Sequence, residues 1–262
     1  WWDGVIGSDG AINTDRFRVI SVNALGSMFG TTGPNTPNPS TGRVYGPDFP
    51  ELTLIDMVRF LHDFLVEIGV EKLFMMAGPS MGSLHSLQMA ALYPEFVERV
   101  VAIATAGRLP PSALAIHHFM INAIKMDPAF NNGWYKNGNC TLSLQLIQQV
   151  GKIYYAHEKG IKQMCWDHVE EGAKAQKKRS ANVSRYLSRT IEADMATRDP
   201  NSYITVLTAI NSFDLSLGAE SYEAGVQRIK CPLLVINIDT DGELAPEWGR
   251  EVVDIINDLR PG

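Results

Sequence analysis

Residues 72–93, KLFMMAGPSMGSLHSLQMAALY, decide the fold. The apolar run Lys72–Ala77 reads as a strand and Gly82–Tyr93 as a helix, with the pentapeptide Gly78-Pro79-Ser80-Met81-Gly82 as the tight turn between them. Ser80 then stands at the apex of a strand–turn–helix unit. A serine hydroxyl is a poor nucleophile at neutral pH unless the backbone pushes it out of the sheet toward a base and a set of amide donors. The two glycines make that geometry accessible. Without a Cβ at Gly78 and Gly82, strand and helix can close around a residue held in a strained conformation. Chance is a poor explanation, because 16 serines and 22 glycines in 262 residues give roughly 0.1 accidental G-x-S-x-G matches before any strand or helix is required.

Outward from this unit the chain alternates. Arg16–Ala24 (RFRVISVNA) is rich in β-branched residues and is expected to be a buried strand. Gly30–Pro50 holds five prolines among Gly, Asn, Ser and Thr, which makes it a long irregular loop of the kind that borders active sites. Thr53–Val70 puts Leu54, Met57, Val58, Leu61, Leu65 and Ile68 on one helical face and ends near Gly69. Val100–Ala104 is a further apolar strand, so residues 16–105 read β, α, β, α, β, the order of a parallel sheet. From Pro110 to about Gly225 the periodicity is helical throughout, with helices expected near 111–126, 141–156, 161–178, 182–197 and 200–213. Alternation resumes with the strand Pro232–Ile238, the turn Asp239–Gly242 and a helix over Pro246–Leu259. The expectation is an α/β core formed by residues 1–108 and 226–262, interrupted by a helical cap over 109–225.

Composition narrows the partners. A net charge of −6 and a pI near 5.5 argue against nucleic acid, and no apolar run reaches membrane-spanning length. Cys140, Cys165 and Cys231 are an odd, widely spaced set without a C-x-x-C pair, which points to a reducing cytoplasm rather than a disulfide framework. The chain opens Trp1-Trp2-Asp3-Gly4 without an initiator methionine or a signal segment, so its numbering is expected to begin inside a longer protein.

A serine on this architecture needs an acid after a later strand and then a histidine. Asp239 and Asp241 both follow the last strand, where catalytic groups of open α/β sheets gather, and Asp241 is the better placed. Both aspartates also suit a purely turn-forming role. His62, His85, His117, His118, His157 and His168 all precede Asp241, so none stands in the required order. His85 is five residues into the helix that leads away from Ser80, and the four between 117 and 168 are ordinary polar groups of the cap. Cys165, Asp167, His168 and Glu171 lie near one helical face, yet without a second cluster they read as polar surface, and no metal is expected. Lys174, Lys177, Lys178, Arg179, Arg185 and Arg189 offer positive charge to an anionic group such as the phosphates of coenzyme A, although a solvated helix face is the simpler reading.

Taken with WWDGVIG, INTDRFRVIS, TTGPNTPNPSTGRVYGPDFP, IATAGRL, DPNSYITVLTAINSFDL and IDTDGELAPE, the elbow GPSMGSLHSLQMAALYPE resembles the homoserine O-acetyltransferases of the α/β-hydrolase superfamily, nearly end to end and in order. The resemblance implies an α/β-hydrolase fold with an inserted helical cap. It also implies an acyl-serine mechanism, with acetyl-CoA as co-substrate rather than a permanently bound cofactor and a small alcohol such as homoserine as acceptor. On the matching positions Ser80 is the implied nucleophile, Asp241 the triad acid and the Met81 amide an oxyanion donor. A small-molecule substrate and a homodimer are the implied partners. Family members extend further at both ends, so this chain is expected to be truncated. The strand missing upstream inserts beside the elbow strand, and the catalytic histidine lies downstream. Ile121 falls where the acetyltransferases carry an arginine suited to the homoserine carboxylate, a departure that favours another alcohol or water. The alternatives are an esterase on the same scaffold and a catalytically silent binding protein.

Overall fold

The computed structural model describes residues 2–136, 141–188 and 198–258. Its centre is a three-stranded parallel sheet of β3 (Met76–Pro79), β4 (Val100–Ile103) and β5 (Leu233–Ile236), in that order. Register runs Met76↔Val100↔Leu233 to Pro79↔Ile103↔Ile236, which brings Ser80, Ala104 and Asn237 together just past the carboxyl ends of the strands. A separate two-residue pair, β1 (Ile6–Gly7) and β2 (Ile12–Asn13), lies near the start of the described chain.

Helix α1 (Leu54–Glu67) forms where the apolar period demands it. Thr53 and Asp56 close a capping box at its start, and Gly69 at φ +82° ends it in a conformation that disfavours side chains. Leu54, Met57, Val58 and Leu65 are buried, each worth about 1.5–3 kcal/mol of apolar transfer, while Ile68 at the frayed end is 38% exposed. Helix α2 (Met81–Leu92) is buried on nearly every side because it is wedged between the sheet and α1, and its nine buried residues include the polar Ser83, His85, Ser86 and Gln88. Leu84, Leu87, Met89 and Ala90 of α2 join Leu54, Val58, Val100, Ala102, Val226, Ile229 and Val252 in the main core.

Between β4 and β5 the described segments are helical. They comprise α3 (Pro111–Lys125), α4 (Thr141–Tyr154), α5 (Glu158–Cys165), α6 (Ala175–Ser188), α7 (Pro200–Asn211) and the short α8 (Tyr222–Val226). Met120, Ile121, Ile124, Phe130, Leu144, Ile147 and Leu207 build a second apolar cluster among α3, α4 and α7. The amphipathic α9 (Pro246–Asp258) follows β5 and buries Gly249 and Val252. No helix among the described residues is long and apolar enough to cross a membrane.

Two expectations are corrected. Arg16–Ala24 is not a strand; residues 17–24 run without a ladder partner and are at most half-buried. A strand is a pairing rather than a property of one segment, and among the described residues nothing stands between this stretch and β3, which is left at the edge of its sheet. The helix expected over 161–178 is not continuous: α5 ends at Cys165 and the next helix, α6, begins at Ala175. Between them Gly172 adopts φ +152°, a value open in practice only to glycine, next to the like-charged Glu170 and Glu171. The fourth expected helix is α6, begun earlier, and its residues 189–197 lie outside the described residues, as do Arg189, Cys140 and Leu259.

Candidate active site

Ser80 occupies φ 51°, ψ −124°, a strained conformation for a residue with a side chain, and it is exposed. Its amide donates to Ile103 O at 2.9 Å, which pins the turn to β4. As the N-cap of α2 it would ordinarily spend its oxygen on a helix amide, but Ser80 makes no side-chain cap bond, so the hydroxyl stays available. The first amides of α2 cannot be reached by intrahelical carbonyls. Met81 N–H is one of them, at the positive end of the helix dipole, where developing negative charge is stabilised. Ser83 Oγ braces the elbow from below, donating to Ser80 O at 2.6 Å and lying 3.1 Å from Ala104 O.

The two elbow glycines differ in what they do. A Cβ on Gly78 would meet the backbone of Gly82 at 2.6–2.8 Å, which no rotamer change relieves, whereas a Cβ on Gly82 would sit 3.6 Å from Pro79 Cδ in ordinary contact. The close approach therefore needs Gly78 alone; Gly82 is the surface approached. Gly78→Ala is expected to cost about 3 kcal/mol of stability through backbone displacement, and Gly82→Ala less than about 1 kcal/mol, which denaturant titration of the two variants checks.

The turn after β5 places Asp241 at the same end of the sheet. Asp241 Oδ1 accepts from the amides of Glu243 at 2.8 Å and Leu244 at 3.0 Å, while Oδ2 has no partner among the described residues. One oxygen shapes the turn and the other is not engaged among the described residues. Asp239 is exposed. Asn237 fastens the turn to the sheet. Its amide donates to Thr105 O, Leu244 O and Ala245 O at 2.9–3.1 Å, and its Oδ1 accepts from Thr105 N at 3.3 Å. The close packing of α9 on Asn237 depends on Gly249, where a Cβ would fall 2.6 Å from Asn237 Oδ1.

His117 departs from the ordinary cap histidine expected of it. Its Nε2 lies 3.0 Å from Glu243 Oε1 with side chains 5% and 9% exposed, and its Nδ1 lies 2.7 Å from Asn211 Oδ1. Tyr155 is 59% exposed, and partial burial of its hydroxyl together with the nearby Glu243 carboxylate pushes the phenol pKa up. Nothing in the sequence pairs His117 with Glu243. The one available signal is a carboxylate two residues past Asp241 in a turn too short to leave it in water.

The remaining histidines fall elsewhere. His62 stacks on Tyr93 at 3.7 Å, His157 caps α5, and His118 and His168 are exposed. His85 is 9% exposed with Nε2 unpartnered, and burial lowers its pKa from 6.5 to about 4. Such a group binds a proton in the unfolded chain before it does in the folded one. Stability is complete above pH 6.5 and falls as pH drops through the window toward 4, by up to about 3 kcal/mol. His85→Leu should flatten that part of the stability–pH curve, measured by denaturant midpoints between these limits. Of the candidate metal cluster, Asp167 pairs with Lys162 at 3.3 Å, Glu171 with Arg179, and Cys165 is buried; among the described residues no three such groups converge on a metal site. Arg179 also lies over the Trp166 ring at 5.3 Å, so this part of the basic run is engaged within the helices.

Comparison with known proteins gives a consistent family. A family model described as alpha/beta hydrolase fold matches residues 2–242. A homoserine O-acetyltransferase of Moorella thermoacetica is 35% identical over 260 residues, covering 98% of this chain and 70% of its own length. A homoserine O-succinyltransferase of Litchfieldella anticariensis is 34% identical over 265 residues, covering 98% and 67%. Among solved structures, that of esterase E22 superposes with a TM-score of 0.85 at 28% identity, covering 98% of this chain and 73% of that one. The chain therefore belongs to the α/β-hydrolase fold family and, within it, to the homoserine O-acetyltransferase family of transferase enzymes.

Proposed function

We propose that the protein is a serine-dependent acyltransferase that moves an acetyl group from acetyl-CoA to the hydroxyl of homoserine or a related small alcohol. The observation that carries this reading is Ser80: exposed, strained at φ 51°, its hydroxyl unspent on the helix it caps, beside the free Met81 amide. Ser80 Oγ attacks the thioester carbonyl, the oxyanion is held by Met81 N–H, and coenzyme A leaves as the thiol. The acceptor hydroxyl then takes the acetyl group from Ser80 and restores the serine. Asp241 Oδ2 orients and charge-balances the histidine that serves as base. All six histidines of residues 1–262 precede Asp241, so none of them stands in the chain order that this base requires. Residues 109–225 act as the helical cap over the site, and the free, buried thiol of Cys165 suits a reducing cytoplasm, where acetyl-CoA is made.

A second reading, an esterase, is favoured by Ile121. It is 6% exposed within the apolar cluster of α3, α4 and α7, so it offers no charge to an acceptor carboxylate. The two readings differ only in what attacks the acyl-enzyme. With acetyl-CoA held constant, adding homoserine should raise thiol release and yield O-acetylhomoserine. Thiol release that ignores every added alcohol and yields acetate would replace the transferase by the esterase.

A further inference from the structure

The groups around Asp241 do more than close a turn. Glu243 leaves that turn as a buried carboxylate and reaches outward to α3, where His117 Nε2 meets it at 3.0 Å. Asn211, at the end of α7, holds the other ring nitrogen at 2.7 Å. Tyr154, the last residue of α4, lies with its hydroxyl 3.2 Å from Gly242 O. Three helices of the segment between β4 and β5 thus grip the two residues that follow Asp241. The same two stretches of backbone supply the amides of Glu243 and Leu244 that fix Asp241 Oδ1.

A buried carboxylate is costly unless its partners offset the lost hydration, so the position of Glu243 is dictated by His117. Displacing Glu243 moves its amide, and that amide is what aims Asp241. We infer that His117 and Glu243 are positioning residues: their contact sets the direction in which Asp241 Oδ2 is presented, coupling the helical segment to the triad acid. This rests on the reading of Asp241 as that acid. A mere packing role would tie the helices to the core without fixing the orientation of one carboxylate.

The test uses the full-length protein and two variants. In His117→Leu the amides of residues 243 and 244 should exchange hydrogen about 10-fold faster while those of α2 stay at wild-type rates. kcat with acetyl-CoA should fall about 10-fold at unchanged KM, the scale of a displaced catalytic group. Glu243→Gln, which keeps an oxygen for His117 to donate to, should recover most of both. Should His117→Leu not fold, Asn211→Ala removes only the group that holds the other ring nitrogen of His117, and the same signs at about 2- to 3-fold are expected. Wild-type exchange at residues 243 and 244 in His117→Leu, or in Asn211→Ala where that variant replaces it, overturns the inference, as does exchange that accelerates with kcat unmoved. A wild-type protein that takes no acetyl group overturns instead the acyl-Ser80 reading, and the exchange rates alone then decide the contact.

Discussion

Ser80→Ala is expected to abolish acetyl transfer while leaving the fold intact. The hydroxyl makes no bond to the helix it caps, so its removal costs no hydrogen bond and no buried area. Stability should change by less than about 0.5 kcal/mol, as for an exposed side chain without a structural partner. Chemistry should fall by about 10⁴-fold or more, since no intermediate can form and only oxyanion and binding contributions remain. Rate and melting temperature measured on one preparation separate the two. A variant that melts with the wild type yet transfers nothing is the expected pair of results, and one that transfers at a comparable rate removes Ser80 from the mechanism.

The second large effect belongs to Asp241→Asn. Asparagine keeps an oxygen at the Oδ1 position, so the amides of Glu243 and Leu244 retain their acceptor and the turn should hold. What disappears is the negative charge that a base needs as it becomes an imidazolium. A loss near 10⁴-fold in kcat is expected, equivalent to about 5.5 kcal/mol of transition-state stabilisation, with little change in melting temperature. Asp239→Asn, at an exposed position one step outside, should alter the rate by less than about 3-fold. Equal effects at the two positions would mean that the pair acts on the turn and not on the chemistry.

The parts of this molecule that could be read from sequence are those decided locally. The elbow needs one glycine at one spacing, and Gly78 against the Gly82 backbone supplies it. Helix α1 announces itself by period, by the Thr53–Asp56 box and by Gly69. Strands β4 and β5 stand out because their runs are apolar, even though Leu234 and Ile236 leave one face of β5 exposed. Failures occur where a partner far along the chain decides. Arg16–Ala24 has strand composition, but composition cannot supply a ladder. His117 has the sequence neighbours of any polar cap residue, and its burial against Glu243 is a tertiary fact. The break at Gly172 was legible in principle, since glycine beside two glutamates opposes helix continuation, but periodicity on either side bridged it.

The acyl-enzyme tests the account most directly. Brief incubation with acetyl-CoA in the absence of acceptor, an acid quench and digestion at lysine and arginine would release the peptide Leu73–Arg99, which carries Ser80, Ser83 and Ser86. The account predicts a mass gain of one acetyl group, placed on Ser80 by fragmentation, lost on adding acceptor and absent from Ser80→Ala. An unmodified peptide under conditions in which the enzyme turns over, or an acetyl group on another residue, would contradict it.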